Sequence, residues 1–443
     1  MTSPRCCHDR WVNQGPAFTA GFDPVNTLRP IFVVGTRPEA IKIFPVVLAM
    51  RADPRLDPIV IASGQHPDMC SQVLRMAGIE PDISLSLTRE TGSLNELVSG
   101  LVSQLSRVFE ELVTTYNPEG YLPRLPGTFV HGDTSTALAA ALVSAFADVP
   151  VVHVEAGLRT YDLHGPFPEE LNRQLIARIA IFSVAPTMPS EANLIRESIS
   201  SEQIMVAGNT GIDALLWATS QPVRFSDERV ADVVASEGPL LVVTAHRREN
   251  WDHLDDIANA LLRICSARPE VRIVLPLHPN PRVRDTLGGQ LSDEPQVILT
   301  EPLEYVEFAH LLKRATIALT DSGGIQEEAP SLRTPVLVMR EQTERPEGVL
   351  AGTLKLVGTD PDTIVSSTLA LLEDPDEYER MSTADNPYGD GKASERIVQA
   401  FNFVLTGQDP PNSFGPGFSR SFVLSRTGLD YARLPHQQRS DDS

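Results

Sequence analysis

Ile31-Phe32-Val33-Val34-Gly35-Thr36-Arg37-Pro38-Glu39-Ala40-Ile41-Lys42 reads as a short β-strand, a glycine turn and the opening of a helix, with Pro38 at a first-turn position where its missing N–H costs nothing. The same unit recurs outward from it. Short β-branched runs at 59–62, 128–131, 149–154 and 181–185 alternate with longer amphipathic stretches such as 133–147 and 168–179. A second series follows, with strands expected at 240–244, 271–275, 297–300, 316–320, 335–339 and 354–357. Regular alternation of strand and helix is the pattern of parallel sheets joined by crossover helices, so the fold class is α/β. Gly208-Asn209-Thr210, where the first series ends, marks the expected hinge. The chain then divides into an extension 1–29, a first domain 30–207, a second domain 208–390, a last helix near 391–406 and a tail 407–443 rich in Pro, Gly and Ser, for which no packed structure is expected.

The 443 residues suffice for two to four domains and hold 37 Lys and Arg against 58 Asp and Glu, a formal charge of −21. A nucleic-acid binder carries the opposite balance, so no nucleic-acid partner is expected. Any anionic ligand must be held by a compact cluster of donors, because the overall field repels it. The longest apolar stretch, around 137–147, is broken by Ser144 and ended by Asp148 and Pro150, short of a membrane span. The first thirty residues carry no apolar block of the secretory type, which points to a cytoplasmic protein away from membranes. Cys6, Cys7, Cys70 and Cys265 do not fall at zinc-ligand spacing, and His131 and His153 lack an H-x-x-x-H pair. Neither a disulfide framework nor a metal site is expected.

Ligands of open α/β sheets bind at the carboxyl ends of strands, and those positions are polar here. After the first strand, Arg37 stands at a helix mouth and Lys42 a turn on, a combination able to grip a diphosphate. The turn is not a P-loop, lacking Gly-Lys-Ser/Thr, nor a dinucleotide fingerprint, lacking G-x-G-x-x-G. In the second series, Asp321-Ser322-Gly323-Gly324-Ile325-Gln326-Glu327-Glu328 lets backbone approach a phosphate and brings a carboxylate suited to ribose hydroxyls; an ordinary capped loop is the alternative. Arg340 and Arg345 add cations after the next strand, or form surface ion pairs. His131-Gly132-Asp133, His153-Val154-Glu155 and Pro168-Glu169-Glu170 place three carboxylates at consecutive junctions, where crowding would shift their proton affinities and suit acid and base work at one carbon. Helix capping is the alternative for Asp133 and Glu169. His246 follows a strand and can serve a phosphate or a proton, or be a hydrogen-bonded structural imidazole; His278, between prolines, reads as structural.

These stretches, with Val154-Glu155-Ala156-Gly157-Leu158-Arg159-Thr160, Gly208-Asn209-Thr210 and His246-Arg247-Arg248-Glu249, resemble the bacterial non-hydrolysing UDP-N-acetylglucosamine 2-epimerases over about 30–406. The resemblance implies two Rossmann-like doubly wound domains facing across a cleft, as in B-type glycosyltransferases, with the last helix crossing back to the first domain, and a homodimer. It implies inversion of C2 of UDP-GlcNAc to give UDP-ManNAc for polysaccharide synthesis, without cofactor or metal. It assigns Asp133, Glu155, Glu169 and His246 as catalytic. Arg37, Lys42, Ser322, Gly323, Gly324 and Arg345 face the ligand, Glu328 holds the ribose and Phe308 lines the uracil pocket. Gln65 and His66 match part of a regulatory site, in which Pro67 stands where the family has Arg. A 2-epimerase of a UDP-diacetamido uronic acid and a retaining B-type glycosyltransferase are the neighbouring readings.

Overall fold

A computed structural model describes residues 27–87, 91–116, 125–407 and 419–427. Its first sheet contains β1 (Ile31–Val34), β2 (Ile59–Ala62), β3 (Ile83–Ser84), β4 (Thr128–His131), β5 (Val151–Val154), β6 (Phe182–Ala185) and β7 (Ile204–Val206). The second contains β8 (Leu240–Thr244), β9 (Arg272–Pro276), β10 (Val297–Thr300), β11 (Ile317–Thr320), β12 (Val336–Val338) and β13 (Leu354–Leu356). The helices that bear on the site are α1 (Arg37–Arg51), α2 (Pro67–Met76), α3 (Ser135–Phe146), α4 (Glu169–Ile179), α5 (Thr210–Ser220), α6 (Tyr305–Arg314), α7 (Gly323–Glu328), α8 (Pro346–Ala351), α9 (Ala393–Thr406) and α10 (Arg420–Thr427).

Both sheets are wholly parallel, in the orders β3-β2-β1-β4-β5-β6-β7 and β10-β9-β8-β11-β12-β13. Strand order reverses between β1 and β4 in one and between β8 and β11 in the other. A doubly wound sheet opens a crevice at such a switch point. The turns after β1, β4, β8 and β11 carry the Gly35–Lys42, Gly132-Asp133, His246 and Ser322–Gly324 motifs, so these motifs stand where each sheet can hold a ligand. This is the two-domain, B-type architecture that the sequence resemblance implies.

Local chemistry explains the entry into each site helix. Thr36 caps α1 in a capping box with Glu39, and Thr134, not Asp133, caps α3 by accepting from Ala137 N. Asp133 is thereby left for another role. Phe32 stacks on Phe129 across β1 and β4 at 4.7 Å between ring centroids, and Phe401 of α9 meets Phe129 edge-on at 5.1 Å. Ile397, Ala400 and Phe401 of α9 and Ala214, Leu215 and Ala218 of α5 share the core under the first sheet. Asp213 of α5 accepts from Ala393 N at 3.2 Å and Ser394 N at 2.7 Å, tying the start of α9 to α5.

The expected strands are all present; β3 and β7, at two and three residues, are too short for a periodicity to register. Of the expected extension, residues 1–26 lie outside the described residues, while Leu28 bridges Leu56 and Arg29 pairs with Asp57. The expectation of an unpacked tail is corrected at 419–427. There α10 buries Val423 and Leu424 against the first core, and Arg420 donates to the carbonyls of Phe403, Val404 and Leu405 at the end of α9. Ser419 N donates to Glu202 O at 3.0 Å and Arg426 to Gln203 Oε1, so the helix is also tied to the segment before β7. Residues 408–418 and 428–443 lie outside the described residues. Among the described residues, no helix is long and apolar enough to cross a membrane.

Candidate active site

The turn after β1 is fixed from within. A β-carbon on Gly35 would lie 2.2 Å from Thr136 Oγ1 and 2.3 Å from Ser63 Oγ, so only glycine lets β2, α3 and this turn close together. Glu39 Oε2 accepts from Gly35 N at 3.1 Å, Thr36 N at 2.8 Å and Thr36 Oγ1 at 2.9 Å. Its Oε1 accepts from Thr134 Oγ1 at 2.7 Å, joining this turn to the one bearing Asp133. Burial pushes Glu39 up to about 7, with the hydrogen bonds from Thr134 and Thr36 offsetting part of that cost.

That raised value has a measurable consequence. Between about pH 4.5 and 7 the native state binds the Glu39 proton more than the unfolded chain does, so stability falls as pH rises through this window. Glu39→Gln keeps the shape, and the Thr134 hydroxyl can reverse to accept from the new amide. Urea unfolding at pH 5 and pH 8 should show the wild type losing up to about 3 kcal/mol more than the variant over that interval. Equal losses in the two proteins would mean that Glu39 is ionised throughout.

Lys42, one turn into α1, forms an ion pair with Glu155 and lies 3.7 Å from Glu327 of the second sheet. Glu155 follows β5 with φ +62°, a left-handed conformation that a non-glycine side chain adopts only when its surroundings hold it. Burial is the largest single influence and opposes its charge, but Lys42 together with the other positive groups around it, Arg173 among them, holds Glu155 well below the usual carboxylate range. His131 Nε2, buried and otherwise unpartnered, lies 4.0 Å from Glu155 Oε2, and burial brings its ring down to about 4, so it is neutral. Asp133 accepts from Arg173 Nε of α4 at 2.7 Å. Burial raises its proton affinity, against the pull of Arg173.

On the second sheet, Asp321 is fully buried and organises the turn after β8. Its Oδ1 lies 2.9 Å from His246 Nδ1, and its Oδ2 accepts from His246 N and Arg247 N at 2.9 Å each and from Asn250 Nδ2 at 3.1 Å. His246 is thereby aimed with Nε2 left for a ligand, and its ring stacks on His278 at 5.9 Å between centroids. The Arg345 guanidinium covers Gly323, whose imagined β-carbon would be 2.8 Å from Cζ, so bulk there would push the arginine away. Arg345 Nε donates to Glu327 Oε1 at 2.8 Å. Glu328 is pushed up to about 8 by lost solvation, Lys42 opposing. Phe308 packs half-buried beside Leu303.

The cleft so formed is lined by Glu155, Arg159, Arg173, Asn209, Glu327 and Arg345 among others, so both sheets contribute. Lys42, Glu155 and Arg345 come together in one charge network, with Asp133 held beside it by Arg173. Glu169 does not join them: in the first turn of α4, half-buried, it has no hydrogen bond or ion pair among the described residues, and Arg173, one turn on, is what reaches Asp133. Its neighbour Glu170 faces inward and accepts from Thr160 N at 3.0 Å and Gln174 Nε2 at 2.9 Å, holding the preceding loop. Gln65 accepts from Thr136 Oγ1 at 2.8 Å, and His66 is exposed at the start of α2. Sequence reasoning gave no role to Glu39, Arg173, Asp321 or Glu327, although all but Arg173 stand inside the quoted motifs.

Fold and cleft together define the class: a two-sheet α/β enzyme of B-type architecture, its ionisable groups gathered where the two switch points meet. Residues 48–402 match the UDP-N-acetylglucosamine 2-epimerase family. The chain is 43% identical over 380 residues to UDP-N-acetylglucosamine 2-epimerase of Escherichia coli K12, spanning 84% of this chain and 98% of that one. It is 43% identical over 389 residues to the Bacillus subtilis 168 enzyme of the same name, spanning 87% and 98%. The crystal structure of Neisseria meningitidis UDP-GlcNAc 2-epimerase bound to UDP-GlcNAc is similar with a TM-score of 0.74 at 39% identity, covering 85% of this chain and all of that one. The chain belongs to the UDP-N-acetylglucosamine 2-epimerase family.

Proposed function

We propose that the protein interconverts UDP-GlcNAc and UDP-ManNAc in the cleft between its sheets. The observation that carries this is the joining of Glu155 to Lys42 and, through Glu327, to Arg345: an ionisable carboxylate stands beside the cations that a departing diphosphate needs. A carboxylate takes the C2 proton, the C1–O bond breaks with its electron pair leaving on UDP, and 2-acetamidoglucal forms with a C1–C2 double bond. A second acid then delivers a proton to the opposite face of C2 as UDP returns to C1. Asp133, Glu155 and Glu169 are the acid/base candidates, and His246, oriented by Asp321, serves the diphosphate side.

Arg37, Lys42, Arg345 and the Ser322, Gly323 and Gly324 turn stabilise the negative charge that grows on UDP as it leaves. Glu328 and Phe308 hold ribose and uracil. The proposal extends to a homodimer acting in the cytoplasm and to a regulatory site that includes Gln65 and His66; light scattering on the purified chain tests the first. Incubation with UDP-GlcNAc and separation of the nucleotide sugars should give UDP-ManNAc. Free ManNAc with stoichiometric UDP would mean hydrolysis instead, and sugar transfer only on addition of an acceptor would mean a glycosyltransferase.

A further inference from the structure

Glu327 is where the two sheets meet electrostatically. It lies on α7, only 4% exposed, and each carboxylate oxygen has a different task. Oε1 accepts from Arg345 Nε at 2.8 Å; Oε2 accepts from Asn209 Nδ2 at 2.7 Å and lies 3.7 Å from Lys42 Nζ. The Glu327 carbonyl accepts from Asn386 Nδ2 at 2.9 Å, and Asn209 N donates to Tyr388 O at 2.8 Å. Three segments thus close on one side chain, α1, the 208–210 connection and the turn into α8, while the 386–389 segment holds the Glu327 and Asn209 backbone. Two of its partners, Lys42 and Arg345, are the cations assigned above to the diphosphate.

We propose that Glu327 is a positioning residue, a carboxylate that competes with diphosphate for Lys42 and Arg345 and holds the two cations toward each other across the two sheets until nucleotide displaces it. This rests on the nucleotide-sugar reading of the cleft. Lys42 also pairs with Glu155 and Arg345 with Glu344, but Glu327 is the carboxylate the two cations share, and it offsets the cost of holding them close to each other. A diphosphate brings more charge to the same donors, so it competes with Glu327 for them. Lys42 also holds Glu155, and a Lys42 drawn toward phosphate releases its grip on that carboxylate. Nucleotide capture then frees Glu155 to exchange a proton, so this acid/base candidate is engaged only with substrate in place.

The test compares wild type, Glu327→Gln and Glu327→Asp as full chains. Without ligand, hydrogen–deuterium exchange should be several-fold faster in the Gln variant at peptides covering 207–213 and 386–391, and unchanged in the outer helix at 254–267. Calorimetry with UDP should give a Kd about tenfold tighter in the Gln variant, because a competing anion has gone. Turnover should show kcat falling while KM also falls, a split that simple loss of folded protein does not produce. Asp keeps the charge but cannot span both cations, so its seam should exchange at an intermediate rate; this variant decides the matter if Gln does not fold. Unchanged exchange at the seam, or weaker UDP binding in the Gln variant, would overturn the proposal. If wild type binds UDP yet leaves C2 of UDP-GlcNAc untouched, the epimerase reading fails while the ligand-free exchange still decides the role of Glu327.

Discussion

Glu155→Gln is expected to lower turnover of UDP-GlcNAc by about 10² to 10⁴-fold, the usual contribution of a positioned acid or base, with the fold retained. The amide preserves side-chain volume at a backbone held at φ +62°, so the β5 turn should persist. What disappears is the carboxylate, set in the turn after β5, that pairs directly with Lys42. Among the described residues Lys42 then keeps its ion pair with Glu327, and UDP binding should change far less than the rate. Circular dichroism would establish that the variant folds, and steady-state kinetics would separate kcat from KM. A variant within twofold of wild-type turnover would remove Glu155 from the chemistry.

The largest effect on stability is expected at Asp321→Ala. This carboxylate lies at the bottom of the second crevice, fully buried, with three donors and the His246 ring arranged about it. Burial works against its charge, but the contact with His246 and the two backbone N–H groups win, and its proton affinity falls below the ordinary value. Alanine would leave His246 N, Arg247 N and Asn250 Nδ2 facing a void, a loss of about 3 to 5 kcal/mol. His246 would lose the partner that aims it, so activity should fall even where the variant is folded. Urea denaturation measures the first effect; a loss under about 1 kcal/mol would mean that other groups support the turn.

The strands were legible because each is a compact apolar run bounded by turn residues, and the site motifs because they sit directly after those runs, where sequence neighbours stay spatial neighbours. Thr36 and Glu39 are three residues apart and make their capping box locally. What the sequence hides is phase and long-range partnership. Glu327 and Glu328 are adjacent, and which of them faces the cations follows from the angle at which α7 leaves β11, a tertiary quantity. The bond between Asp321 and His246 spans 75 positions, and no periodicity records it. The chain carries two acids at the start of α4, and the helix's rotation buries Glu170 against the 160–161 backbone and leaves Glu169 half-buried, without a hydrogen bond or ion pair among the described residues. The docked helix at 420–427 leaves no periodic signal in the sequence because its two anchors, Val423 and Leu424, stand among Ser and Arg, with Pro- and Gly-rich chain before them.

The central claim is reversible proton exchange at C2 with UDP returned to the same sugar. Proton NMR of the purified protein with UDP-GlcNAc in deuterated water tests it most directly. The account predicts deuterium at C2 of both UDP-GlcNAc and UDP-ManNAc, with a new anomeric signal and no accumulation of free ManNAc. A C2 proton retained in full through prolonged incubation of folded protein that binds UDP would contradict it.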